Sequence, residues 1–133
     1  MTTFKAITPN LVVRDIDAST AFYRDVLGFG IKATVPDAAP FVFVWLERDG
    51  VGVFLNDRNA AAEDYPAMAD RTPGGTAAMF FVVDGVNDYY ADVSKRARVV
   101  MPIKTQFYGM REFAVEDPDG HIITFAQPVS QGA

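Results

Sequence analysis

Residues 109–125 read GMREFAVEDPDGHIITF: a strand-forming run, the acidic stretch Asp117-Pro118-Asp119-Gly120, and a second strand-forming run. Pro presets φ, Gly accepts backbone angles closed to most residues, and Asp can close a turn with its own side chain. The pattern therefore predicts two antiparallel strands joined by a sharp reversal. Taken as EDPDG, the connection has five residues, and a loop of that length leaves the register of the two strands open.

Upstream, TAAMFFVVD (76–84) reads as a strand, DGVNDYYADVSKRA (84–97) as a helix and VVMPIKTQF (99–107) as a further strand region. The first half repeats this order. FKAITPNLVV (4–13) predicts a strand, with Pro9 confining it to an edge, a bulge or a strand start. Asp17 reads as a helix N-cap, Ala21, Phe22, Val26 and Leu27 recur at helical spacing, and Gly28 is the natural stop. FVFVWL (41–46) and VGVFLN (51–56) then form a hairpin through Asp49-Gly50. Residues 57–75, DRNAAAEDYPAMADRTPGG, read as a long connection with room for one short helix. The stretches VVRDIDASTAFYRDV and FVVDGVNDYYADV are visibly related, so the chain reads as an internal duplication.

Bulk properties narrow the function. A chain of 133 residues, 50% hydrophobic and 22% charged, has the length and composition of one folded domain. The absence of cysteine removes disulfides, thiolate metal sites and a cysteine nucleophile. MTTFKAITPN lacks the basic start and apolar run of a secretory signal, and no apolar stretch is long enough to span a bilayer. The expected location is cytoplasmic. A net charge of -5 argues against nucleic acid and anionic membrane as partners and favours cations, although the same charge serves solubility. No nucleophile elbow, phosphate loop or dinucleotide fingerprint is present.

The segments PNLVVRDIDASTAFYRDVLGF (9–29) and GMREFAVEDPDGHIITF (109–125), with the duplicated layout, resemble the vicinal oxygen chelate superfamily. It comprises glyoxalases, extradiol dioxygenases, fosfomycin resistance enzymes and bleomycin resistance proteins, and REFAVEDPDG is most similar to the last of these. The resemblance implies an α+β fold in which two βαβββ modules form a curled mixed sheet around a cavity. It divides residues 1–133 into an N-terminal module (1–56), a connection (57–75) and a C-terminal module (76–133). It also implies a homodimer with pockets at the interface.

Enzymes of the superfamily hold a divalent metal with His, Gln or Glu side chains. By pattern those positions fall here on Thr8, Gly52, Ala77 and Thr124. A catalytic cation needs about three good protein ligands, and two hydroxyls, a glycine and an alanine do not supply them. The expectation is that no metal or other cofactor is held there. The single histidine, His121, cannot rebuild the site alone and reads as a surface or turn residue.

An even-numbered loop at Asp49-Gly50 puts Phe43, Trp45, Gly52, Phe54 and Asn56 on one face of the hairpin and Val42, Val44, Val53 and Leu55 on the other. Gly52 is a family ligand position, so the aromatic set is expected to face the cavity. Rings of this kind suit a planar or extended apolar ligand, and they equally suit a core. Phe107, Tyr108, Met110 and Glu112 join the expected ligand-binding set from the second hairpin, and Tyr65, with Met68, forms a candidate lid. Arg111 is expected to brace the hairpin through a nearby acid.

The leading expectation is a metal-free binding protein that sequesters a small aromatic or cationic antibiotic, as bleomycin resistance proteins do, with no catalytic residue. Two alternatives stay open. One is a diverged glyoxalase- or dioxygenase-type metalloenzyme with relocated ligands, such as His121 with Glu112 or Glu116. The other is a metal-free lyase or isomerase using Tyr108 or Glu112 as acid or base.

Overall fold

The computed structural model describes residues 1–129; the last residues of the expected C-terminal module, 130–133, lie outside them. The chain divides into two compact units, one ending at Arg71 and one running from Thr72 onward.

The first unit contains β1 (Asn10–Val13), α1 (Ile16–Ala21) continuing into a π-helical turn (Phe22–Val26), β2 (Gly30–Val35), β3 (Phe43–Arg48), β4 (Val51–Asp57) and α2 (Arg58–Asp64). A short 3-10 turn, Pro66–Met68, follows. Its sheet runs β1-β4-β3-β2, with β1 and β4 parallel and the other pairs antiparallel. The second unit contains β5 (Ala78–Val82), α3 (Val86–Val93), β6 (Arg98–Thr105), β7 (Met110–Glu116) and β8 (Ile122–Pro128). Its sheet repeats the arrangement as β5-β8-β7-β6, again with the outer pair β5 and β8 parallel. Two βαβββ modules, each with a four-stranded mixed sheet, make the α+β fold expected from the sequence.

Several boundaries differ from expectation. The first strand is confined to Asn10–Val13: Pro9 has no N–H to give the ladder, and its carbonyl accepts the Phe54 N–H at 2.9 Å just before the strand begins. The N-cap of α1 is Asp15 rather than Asp17. Asp15 is extended (φ -133°, ψ 99°) and its Oδ1 accepts the backbone N–H groups of Asp17 and Ala18, both at 3.1 Å. Asp17 sits in the first turn, where a negative charge complements the helix dipole. Residues 30–35, which the residue pattern left unassigned, form β2; four of its first five residues are exposed, so they carry no alternating burial to read. The expected connection holds α2 and the Pro66–Met68 turn.

Gly28 ends the first helix as expected, at φ 85°. The Phe29 N–H reaches back to the Tyr23 carbonyl at 2.9 Å, and Arg48 Nη1 donates to the Leu27 carbonyl at 2.6 Å. Arg48 thus caps the helix from the neighbouring hairpin. Gly85, at the start of α3, has no side chain to cap with, and Gln127 Oε1 from β8 accepts the Val86 N–H at 3.0 Å instead.

One face of each sheet is the core of its unit. Val13, Val44, Leu46, Val53 and Leu55 are fully buried in the first, with α1 against β3 and β4. In the second, Tyr89 and Tyr90 of α3 pack on Phe113 at 6.1 and 5.0 Å between ring centres, and Tyr89 on Phe125 at 5.0 Å. Val42 does not join the buried face, since it precedes β3 and is 39% exposed.

Candidate functional site

The first candidate region is the remaining face of β3 and β4. Asp49 and Gly50 both have positive φ (51° and 81°), as a type I′ turn requires, and the two-residue loop fixes the register Arg48↔Val51, Trp45↔Phe54 and Phe43↔Asn56. Directly opposed residues share a face. Phe43, Trp45, Phe54 and Asn56 are therefore brought together, all half-buried. The Phe43 and Phe54 rings lie 5.1 Å apart and tilted; Trp45 meets Phe54 edge-on at 5.6 Å. Such pairs contribute about 0.5–1.5 kcal/mol beyond their burial.

Two neighbours of this face were not identified from the sequence. Lys32 Nζ stands 4.4 Å over the Trp45 ring and 2.8 Å from Glu47 Oε2. Asn10 Oδ1 accepts a hydrogen bond from Asn56 Nδ2. Placing Lys32 required β2, and placing Asn10 required the parallel β1–β4 pairing; neither leaves a local signal. Trp45 Nε1 is buried with no hydrogen-bond partner.

Gly52 explains how the indole fits. A β-carbon on Gly52 would stand 3.0 Å from Trp45 Nε1, closer than ordinary contact. The absence of a side chain at 52 and the seating of Trp45 are one arrangement. Tyr65 ends α2, is exposed, and makes no ring contact with the aromatic set among the described residues.

The second candidate region belongs to the second unit. The reversal between β7 and β8 spans Asp117–His121, with Glu116 still paired to Ile122, so the register is Phe113↔Phe125 and Glu112↔Ala126. Phe113 points to the core and Glu112 to the other face. Glu112 is only 4% exposed. Its Oε1 accepts from Tyr108 Oη at 2.5 Å and from Gln106 Nε2 at 3.1 Å, and its Oε2 has no partner. A buried acceptor left unpaired costs about 1–3 kcal/mol. The hydrogen bond to Glu112, then burial, then the carboxylate's charge hold the Tyr108 hydroxyl above its ordinary pKa.

Tyr108 and Gln106 come from one tight turn, closed by the Gly109 N–H on the Gln106 carbonyl at 3.0 Å. Phe107 at its tip is 96% exposed and its ring meets that of Tyr108 at 5.2 Å. Met110 is half-buried at the start of β7, opposite Pro128. Gln106 was missed in the sequence because only the fold reveals that it donates to Glu112. Among the described residues Arg111 pairs with no acid: Nε donates to Asn87 Oδ1 at 2.7 Å and Nη1 to Thr105 Oγ1 at 3.1 Å.

The residues at the positions expected from the resemblance to carry metal ligands do not suit a divalent cation. Thr8 and Thr124 offer neutral hydroxyls, Ala77 offers nothing, and Gly52 has no side chain, with only 3.0 Å between a β-carbon there and the indole Nε1. Asp117, Asp119 and His121 bring candidate ligand atoms within 4.8 Å of one another. Asp117 is committed to the turn, however. Its Oδ1 accepts the N–H groups of Asp119 and His121, both at 2.9 Å, and its Oδ2 lies 2.8 Å from His121 Nδ1. His121 is thus a buried turn residue, not a surface one.

The duplicated βαβββ scaffold, with REFAVEDPDG on its closing hairpin, defines the class of protein. Residues 4–125 match the Glyoxalase/Bleomycin resistance protein/Dioxygenase superfamily, and the chain belongs to it. It is similar to the bleomycin resistance protein of Geobacillus stearothermophilus, at 27% identity across 91% of this chain and 95% of that one. Among solved structures it is similar to a protein of unknown function from Agrobacterium tumefaciens, at 25% identity and a TM-score of 0.76, covering 97% of this chain and 98% of that one. It also shares its fold with TnmS3, an antibiotic binding protein from a Streptomyces species, at 22% identity and a TM-score of 0.71, covering 96% and 99% of the two chains. Among the described residues, no helix is long and apolar enough to cross a membrane.

Proposed function

We propose that this protein binds a small planar or extended apolar molecule with cationic character, of the kind found among antibiotics, and releases it chemically unchanged. The observation that carries this reading is the Phe43, Trp45 and Phe54 set on one sheet face, with Gly52 giving the indole its seat. Lys32 over the Trp45 ring supports the cationic character, because a ligand cation can take the place of that ammonium. The names of the bleomycin resistance and antibiotic binding relatives point the same way. In this reading the chain acts as a metal-free homodimer in the cytoplasm; Tyr65 joins the contacts of the first unit, and Phe107, Tyr108, Met110 and Glu112 are ligand contacts that the second unit offers.

The chain has one tryptophan, so its fluorescence reports the site directly. Titration with metal-free and copper-loaded bleomycin and a panel of aromatic antibiotics should give saturable quenching, with the ligand recovered intact by mass spectrometry. Trp45→Ala should weaken binding while leaving unfolding cooperative. No response across the panel would sink the reading. Turnover of a panel compound that disappears in Glu112→Gln would instead favour proton-transfer chemistry at the Tyr108–Glu112 pair.

A further inference from the structure

Glu112 is a carboxylate with half of its acceptor capacity unused. Both of its donors, Tyr108 Oη and Gln106 Nε2, converge on Oε1, while Oε2 is buried and bare. Lys104 stands opposite Glu112 in the β6–β7 register, yet Glu112 makes no ion pair among the described residues. A buried, acceptor-only group without a counter-charge is complementary to a cation that carries N–H donors.

The surroundings suit such a ligand. Glu112, Ala126 and Val82 lie in one row across the sheet, and Thr124 and Phe80 lie in the next. On β5, Phe80 and Val82 are 54% and 64% exposed, while the strands between carry the small side chains Ala114, Thr124 and Ala126. Both donors on Oε1 belong to a single turn, whose tip, Phe107, is 96% exposed.

We propose that Glu112 Oε2 is the anchor for an N–H-bearing cationic group, an amidinium or aminoheteroaromatic cation, whose apolar body lies along Phe80 and Val82. This deepens the binding role proposed above and rests on it. The row geometry places the charged end of the ligand toward β7 and its apolar end toward β5.

Calorimetric titration of the full chain at neutral pH with 9-aminoacridine, a planar cation with N–H donors, and with acridine, its neutral counterpart, tests the assignment. Wild-type protein should bind the cation at least about tenfold more tightly. In Glu112→Gln that preference should collapse, with acridine affinity unchanged. Unchanged acridine affinity together with cooperative unfolding of Glu112→Gln separates loss of charge from damage to the fold. Equal binding of the two probes by wild type, or a preference that survives Glu112→Gln, overturns the assignment. If neither acridine binds while an antibiotic of the panel still quenches Trp45, the anchor is wrong and the binding role stands. If nothing binds, both fall.

Discussion

Trp45 and Gly52 occupy adjacent strands so closely that a β-carbon on the glycine would stand 3.0 Å from the indole Nε1. A carboxylate introduced at 52, one of the positions expected from the resemblance to carry a metal ligand, has to press the indole aside by a few tenths of an ångström. Gly52→Glu should lower stability by about 1–3 kcal/mol in urea unfolding through overpacking. Elemental analysis of the variant should find no stoichiometric metal; a bound divalent ion would show that the old site can be rebuilt by one residue.

Lys32 covers the ring that the proposed ligand would stack on. Lys32→Ala should therefore strengthen binding of cationic panel members by about three- to tenfold, as the competing ammonium is removed. Its exposed pairing with Glu47 is worth at most about 1 kcal/mol, so stability should barely change. Weakened binding would mean that Lys32 itself contacts the ligand.

The fold was legible because its signals are local. Asp49-Gly50 fixed the first hairpin's register, and with it the shared face of Phe43, Trp45, Phe54 and Asn56. The second hairpin was open until the turn was seen to span Asp117–His121, because a five-residue loop does not set parity by itself. Gln106 and Lys32 were not legible, since each matters through a partner that only the folded chain brings near. Asp15 and Asp17 were confused because both are good capping residues two positions apart. Only the extended backbone at Asp15 decides between them.

That distinction is measurable. Asp15→Ala should cost about 1 kcal/mol of stability through loss of the cap, and Asp17→Ala only a few tenths. Chemical denaturation of the pair decides it, and the reverse ranking would contradict the observed hydrogen bonds.

Asp117 closes the second hairpin with two backbone hydrogen bonds and one to His121. Asp117→Ala should destabilise the protein by about 2–4 kcal/mol, since it leaves buried donors unpaired. Thermal unfolding of the variant near the wild-type temperature would show that the turn holds without its aspartate.

The Tyr108 hydroxyl is held protonated by its bond to Glu112, so its pKa is raised. The stability it contributes is present below the ordinary tyrosine pKa of about 10 and is lost as pH rises through the raised value. Ultraviolet difference titration should reveal one late-ionising tyrosine, absent in Tyr108→Phe and shifted toward the ordinary value in Glu112→Gln. A titration curve identical in all three proteins would remove the hydrogen bond from solution.

In each module the last strand to leave the ribosome is an interior one: β4 inserts between β1 and β3, and β8 between β5 and β7. A chain that terminates before Ile122 would leave β5 with no hydrogen-bonding neighbour in its own sheet. A late nonsense mutation or stalled translation would thus release an unfinished product with open edges, fit for proteolysis and not for partial activity. The same order gives each half a built-in checkpoint, because its sheet closes only when the whole repeat has been made.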